Sequence, residues 1–154
     1  RDPLWSRGLG DVYKRQNIIF DIYGYKNREP VWAEDFYKVI VNSKMALNLT
    51  RGKPLKYLTS NRIASLIGNG LLTFIDRRTK LDNFFNKNEV VFYSNLQDLA
   101  EKINEFKAND KGRMKIAKNG RKKYFDLFEC QKVANYIISK SFNREISKKL
   151  KWMD

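Results

Sequence analysis

The strongest constraint on the fold is an alternation of short, nearly continuous apolar runs with longer segments of helical periodicity. The runs are Ile18 to Ile22, which ends at Gly24, then Met45 to Leu49 (MALNL), Leu71 to Ile75 (LLTFI) and Glu89 to Tyr93 (EVVFY). Strands that apolar are covered on both faces, which is the arrangement of a parallel sheet between helices. Between the runs, VWAEDFYKVIVNS after Pro30 sets Phe36, Val39 and Ile40, with Trp32 nearby, at helical spacing. SNRIASLIGN is a second helix, capped by Thr59 or Ser60 and closed by Gly68 and Gly70. KLDNFF reads as a short helix or turn. Asn95 caps an amphipathic helix with Leu96, Leu99, Ile103 and Phe106 on one face. Two more helices follow, from about Lys111 to Phe125 and from about Cys130 to Phe142. The expected class is therefore α/β: a Rossmann-like parallel sheet flanked by helices, with a helical C-terminus.

Three segments are expected at the ends of the chain and between them. Residues 1–16 (RDPLWSRGLGDVYKRQ) have no regular periodicity and contain Pro3, Gly8 and Gly10, so they read as a non-native or disordered leader. Residues 17–142 form the folded domain. Residues 143–154 form a basic tail that extends the last helix or frays. One cysteine, Cys130, leaves no internal disulfide, and the absence of histidine removes His-based metal sites and Ser–His or Cys–His catalysis from this chain. No apolar run approaches the roughly 20 residues that span a bilayer. With no apolar signal-peptide core near the N-terminus, a cytoplasmic location is the expectation.

In a parallel α/β sheet, ligands bind beyond the carboxyl ends of the strands. Those positions here are Gly24 to Arg28, Thr50 to Arg62 and Asp76 to Lys80. The middle one stands out. Arg51 and Lys53 lie in the loop, and Ser60, Asn61 and Arg62 open the next helix, whose first turn offers backbone N–H groups and a positive dipole end. Two guanidinium groups beside a helix start suit a diphosphate. A basic loop before a capped helix is also a common structural feature, and the pattern alone leaves both readings open.

The order of several stretches adds to this. SKMALN (Ser43 to Asn48) followed by Arg51, S-N-R with IASLIGNG (Ser60 to Gly70), NEVVFYSNLQDLAEKI (Asn88 to Ile103) and RMKIAKNGR (Arg113 to Arg121) occur in sequence. Together they resemble the C-terminal half of GT-B glycosyltransferases of group 1, the branch with the CgeB-like spore-protein glycosyltransferase-like domain. The resemblance covers roughly residues 17–142. It implies a hexosyltransferase class of enzyme in which this half binds a UDP- or GDP-linked sugar, a donor substrate rather than a cofactor. Arg51 and Arg62 would hold the diphosphate, and Lys53, Ser60, Asn61 and Ser65 would complete the site. Glu89, Ser94, Arg113, Gly120 and Arg121 read as strand, cap and packing positions.

The chain departs from the family pattern where the helix usually carries Glu, since Ser65 stands there, and Tyr57 occupies the other acidic position. Asp76, after the third apolar run, is an acid that could substitute. The resemblance also implies a partner, the acceptor-binding N-terminal half of the same protein, without which this half would bind donor but not turn it over. No Asp-x-Asp pair calls for a metal, and cationic side chains can stabilise the leaving diphosphate.

The formal net charge is +14, and thirteen Lys/Arg against five Asp/Glu lie from Asp110 to Asp154. Such a surface meets nucleic acid, anionic lipid or a phosphorylated ligand, or is only a solvated helix face. Nucleic acid is the weaker option, because the strands carry no RRM, KH or OB pattern and Tyr124, Phe125 and Phe128 also fit the buried side of a helix. Peripheral contact with the inner face of an anionic membrane is compatible with glycosyl transfer, and Trp152 among the tail lysines would suit it.

Overall fold

The structure is a computed structural model, and it describes residues 19–24, 28–49, 53–58, 61–146, 150 and 152. Among these, the elements run α1 (Ala33–Asn42), β1 (Met45–Asn48), α2 (Asn61–Ile67), β2 (Leu72–Asp76), two 3-10 turns (Arg77–Thr79 and Leu81–Asn83), β3 (Val91–Tyr93), α3 (Leu96–Ala108), α4 (Asp110–Phe128) and α5 (Cys130–Ser141). The strands form a parallel sheet in the order β1-β2-β3. Met45 pairs with Leu72 and Asn48 with Ile75, while Phe74 pairs with Val91 and Asp76 with Tyr93. The α/β, Rossmann-like class with a helical C-terminus is thus observed.

The period-2 geometry of β2 divides the interior. Leu72 and Phe74, with Val91 and Tyr93 of β3, face Leu99, Ile103 and Phe106 of α3 and Ala117 of α4. On the other face Ile75 and Phe92 meet Ile63 and Ile67 of α2, Leu81 and Phe85 of the segment between β2 and β3, and Leu127 of α4. A smaller cluster of Ile40, Leu66 and Leu71, with Phe36 and Ala46 against it, seats α1. Every residue of β2 is buried, as expected for a central strand with helices on both sides.

Two expectations are corrected. The first apolar run is not a strand: residues 19–22 lie outside the sheet and Ile19 is 93% exposed, although Phe20 packs on the α3 side of the core. The chain turns instead, with the Gly24 N–H donating to the Arg28 carbonyl and Arg28 paired with Asp21 at 2.7 Å. The last run is also shorter than its apolar character suggested. Glu89 lies in a turn and accepts the Asn86 N–H, so β3 begins at Val91. Trp32, placed near the helical face, stands at the N-cap of α1 and is 75% exposed.

Helix boundaries follow local chemistry. The Asn95 side chain accepts the Asp98 N–H, and Asn109 does the same for Gly112 at the start of α4. Helix α2 stops at Ile67, and Gly70 then takes φ +78° before β2, a conformation suited to glycine.

Helix α4 is anchored along the amino ends of the strands. Arg113 donates from Nη1 to the Lys44 carbonyl just before β1, and Asn119 Nδ2 donates to the Asn88 carbonyl before β3. Gly120 lies against the Glu89 carbonyl so closely that a Cβ there would sit 2.1 Å from the oxygen. Gly120→Ala should therefore force the helix off this rim and cost about 1–3 kcal/mol of stability, the usual range for overpacking. Denaturant unfolding would measure it, and an unchanged midpoint would mean that the contact yields freely.

Candidate functional site

Consider the carboxyl edge of the sheet, where β1 gives way to a loop and α2, and β2 gives way to the 3-10 turns. Since Asn48 pairs with Ile75, the next step along the register sets Leu49 beside Asp76. Arg62, in the first turn of α2, donates from Nη1 to the Leu49 carbonyl oxygen. Its guanidinium therefore ties the helix start to the end of β1 and is itself exposed on this edge. The other expected contacts divide. Lys53 and Asn61 are exposed on the same connection. Arg51 and Ser60 lie outside the described residues. Ser65 turns its hydroxyl onto the Asn61 carbonyl of its own helix at 3.1 Å, which is ordinary back-bonding. Helix α2 has seven residues, so its dipole is short and the positive charge at this edge resides in side chains.

Asp76, the last residue of β2, is 5% exposed and does not face a ligand unaided. Its carboxylate accepts the Arg78 N–H at 2.9 Å, and Arg78 Nε and Nη2 close a two-pronged pair at 3.0 and 2.6 Å. A buried carboxylate requires such a partner. The Asp76 hydrogen bond also raises the Arg78 pKa, chiefly by favouring the charged form. Because the Arg78 side chain is 67% exposed, the pair presents a fixed cation at the end of the central strand. The pattern-based reading missed Arg78. Its signal was an acid closing a nearly continuous apolar run and followed directly by two arginines, Arg77 and Arg78, either of which could neutralise it.

Around this pair the loop that follows β1 is held down. Tyr57 takes φ +59°, donates its N–H to the Thr79 carbonyl at 2.7 Å and accepts the Asn83 side-chain amide on its hydroxyl. Its ring meets Phe84 edge to face at 5.3 Å. Tyr57 is thus a pin between the loop and the 3-10 turns. Next to it, Arg77 stacks over the Phe92 ring at 5.7 Å. At the end of β3, Asp98 accepts the Ser94 N–H at 2.8 Å and pairs with Lys102 at 2.6 Å. The Lys102 hydrogen bond is the main reason that the Asp98 pKa is lowered. Ser94 and Asp98 thus do capping work, as expected for that turn.

Tyr93 lies opposite Asp76 in the register and is 7% exposed. Burial, reinforced by the Asp76 charge, pushes its phenol up to about 12. The folded state then keeps a proton that the unfolded chain releases near pH 10, so stability is complete below about pH 10 and falls as pH rises toward 12. The loss should be on the order of 2 kcal/mol. Denaturant unfolding at stepped alkaline pH should show this slope flattened in Tyr93→Phe, and equal slopes in the two proteins would exclude Tyr93 as its source.

The glycosyl transferase-like family model matches residues 5–139. No curated protein and no solved structure matches the chain. A parallel sheet whose carboxyl edge carries fixed cations, and a family match over most of the length, lead to one assignment: the chain belongs to the glycosyl transferase-like family.

Proposed function

We propose that this domain is the donor-binding half of a GT-B glycosyltransferase related to the CgeB-like branch of group 1, taking a UDP- or GDP-linked sugar. The observation that carries the reading is the pair of guanidinium groups at the carboxyl edge, Arg62 against the end of β1 and Arg78 held by Asp76 at the end of β2. Neighbouring strands set them on the same side of the sheet, where an α/β domain receives a nucleotide.

When the bond between the sugar C1 and the β-phosphate oxygen breaks, negative charge accumulates on the departing diphosphate. Guanidinium groups fixed beforehand strengthen their hydrogen bonds as that charge grows, which lowers the barrier without reorganisation. Arg78 is the better prepared of the two, because Asp76 limits its rotamers and aims the remaining N–H groups outward. Arg51 and Lys53, on the loop after β1, would add charge to the same ligand, with Asn61 near the ribose or sugar. The acceptor and the groups that activate it would come from a preceding half of the same protein. Ser65, with its hydroxyl engaged on the helix, would not replace the carboxylate of relatives, so the sugar hydroxyls would be held by other groups. Asp76, locked on Arg78, acts through that arginine rather than on the sugar.

Isothermal titration with UDP and with GDP tests the reading. Arg62→Ala, and Arg78→Ala combined with Asp76→Asn so that no buried carboxylate is left unpaired, should each weaken the preferred nucleotide by about 1.5–3 kcal/mol, the value of a charge-assisted hydrogen bond, while the protein remains folded by circular dichroism. Unchanged affinity in both variants would remove the carboxyl edge from donor binding.

A further inference from the structure

A second charged feature lies on the opposite side of the domain. Lys111, Lys115, Lys118 and Lys122 of α4 are all exposed and recur at intervals of four, three and four residues. At 100° per residue they fall on one line along the helix, over about 17 Å. Met114 and Phe125 lie along one side of that line and are 61% and 48% exposed. All six side chains fit within an arc of roughly 100°. The other side of the helix carries Ala117, Gly120 and Leu127 into the core. From Lys111 to Phe125 the helix contains no carboxylate, and Asp126 closes the line. Among the described residues no ion pair engages any of the four lysines.

The diphosphate of a donor does not explain this stripe. Helix α4 is anchored to Lys44, Asn88 and Glu89, each of which precedes a strand. It therefore lines the amino rim of the sheet, and its outer face points away from the carboxyl edge where Arg62 and Arg78 stand.

We propose that this face of α4 is a docking surface for an anionic lipid membrane. Charge complementarity favours the occupant: a straight row of cations with no acid in it needs a partner of continuous negative charge. The interleaved Met114 and Phe125 decide between the two classes of polyanion. A convex helix bearing an exposed thioether and an exposed phenyl among lysines matches the headgroup–acyl boundary, where apolar side chains sink in and ammonium groups stay with phosphates. Binding of single strands relies instead on a groove with stacking platforms, and of the aromatics near this helix, Tyr124 and Phe128 pack against the core. Trp152 plays no part, because its indole N–H donates to the Leu127 carbonyl and its ring packs on Tyr136 at 4.9 Å. Docked this way, the domain would turn its carboxyl edge toward the aqueous side, from which a nucleotide-sugar arrives.

The test is co-sedimentation of the whole chain with phosphatidylcholine vesicles, with and without phosphatidylglycerol. Binding should require the anionic lipid and weaken as salt rises. Charge reversal at Lys115, Lys118 and Lys122 together (each Lys→Glu) should lower the partition coefficient by more than about 100-fold, the value expected from loss of the three cations alone. Met114→Ser with Phe125→Ser should lower it by a smaller factor, with the salt dependence kept. All of these positions are exposed, and far-ultraviolet circular dichroism would confirm that the variants fold. Equal binding to neutral vesicles, no binding, or binding unchanged by the charge reversal would overturn the proposal. Capture of single-stranded DNA through the same lysines by a protein that ignores vesicles would overturn it in favour of nucleic acid. None of these readouts uses the nucleotide, so the outcome is independent of donor binding.

Discussion

The fold rests on β2, a strand paired in parallel on both edges and buried on both faces. A strand so placed exposes no backbone edge and no side chain to water, so each neighbour must supply either a hydrogen-bond ladder or an apolar surface. Helices α2 and α3 cover its opposite faces, while α4 is long enough to contribute Ala117 to one core and Leu127 to the other. The close seating of Gly120 on the Glu89 carbonyl draws that helix against the rim. With the two cores sharing one strand, packing errors on either side are transmitted to the other.

The same burial shapes the chemistry of the carboxyl edge. Asp76 ends β2 inside the protein, and a carboxylate there is tolerated only with a charged, hydrogen-bonded partner. Arg78 meets that need, and the consequence is a cation whose position is set by the core rather than by a mobile loop. Arg62 reaches the adjacent edge position through a backbone carbonyl. Tyr57 clamps the intervening loop to the 3-10 turns. The proposed donor site would thus consist of groups already oriented before binding, the form of preorganisation that favours a charged leaving group.

Positive charge is distributed on two rims with different physical settings. At the carboxyl edge, Arg62 and Arg78 are held by acceptors, the Leu49 carbonyl and the Asp76 carboxylate. Along α4, lysines stand in solvent on flexible stems beside exposed apolar groups. Guanidinium forks suit a discrete phosphate, and mobile ammonium groups suit an extended anionic surface. No helix of the described residues is long and apolar enough to cross a membrane, so any lipid contact through this helix would be at the surface.

Near-neighbour chemistry made much of this legible in the sequence. Apolar runs located β1 and β2, and the caps at Asn95 and the glycines after α2 marked helix ends, because caps and turns depend on residues within a few positions. The parallel class followed from strands without polar alternation. The stretch from Ile18 to Ile22 was equally apolar and yet formed no strand where it is described: residues 19–22 lead into the turn at Gly24, held by the Gly24–Arg28 bond and the Arg28–Asp21 pair. The carboxyl edge was found as a region, but its members were sorted by tertiary contacts. Arg62 was joined to β1, Ser65 was turned onto its own helix, Tyr57 became a pin, and Asp76 was committed to Arg78. The sequence by itself determined the class, the order of elements from α1 onward and the basic character of α4. Only the tertiary structure decided that the charges of α4 lie on the amino rim, because that depends on contacts between residues far apart in the chain, such as Arg113 with Lys44 and Gly120 with Glu89.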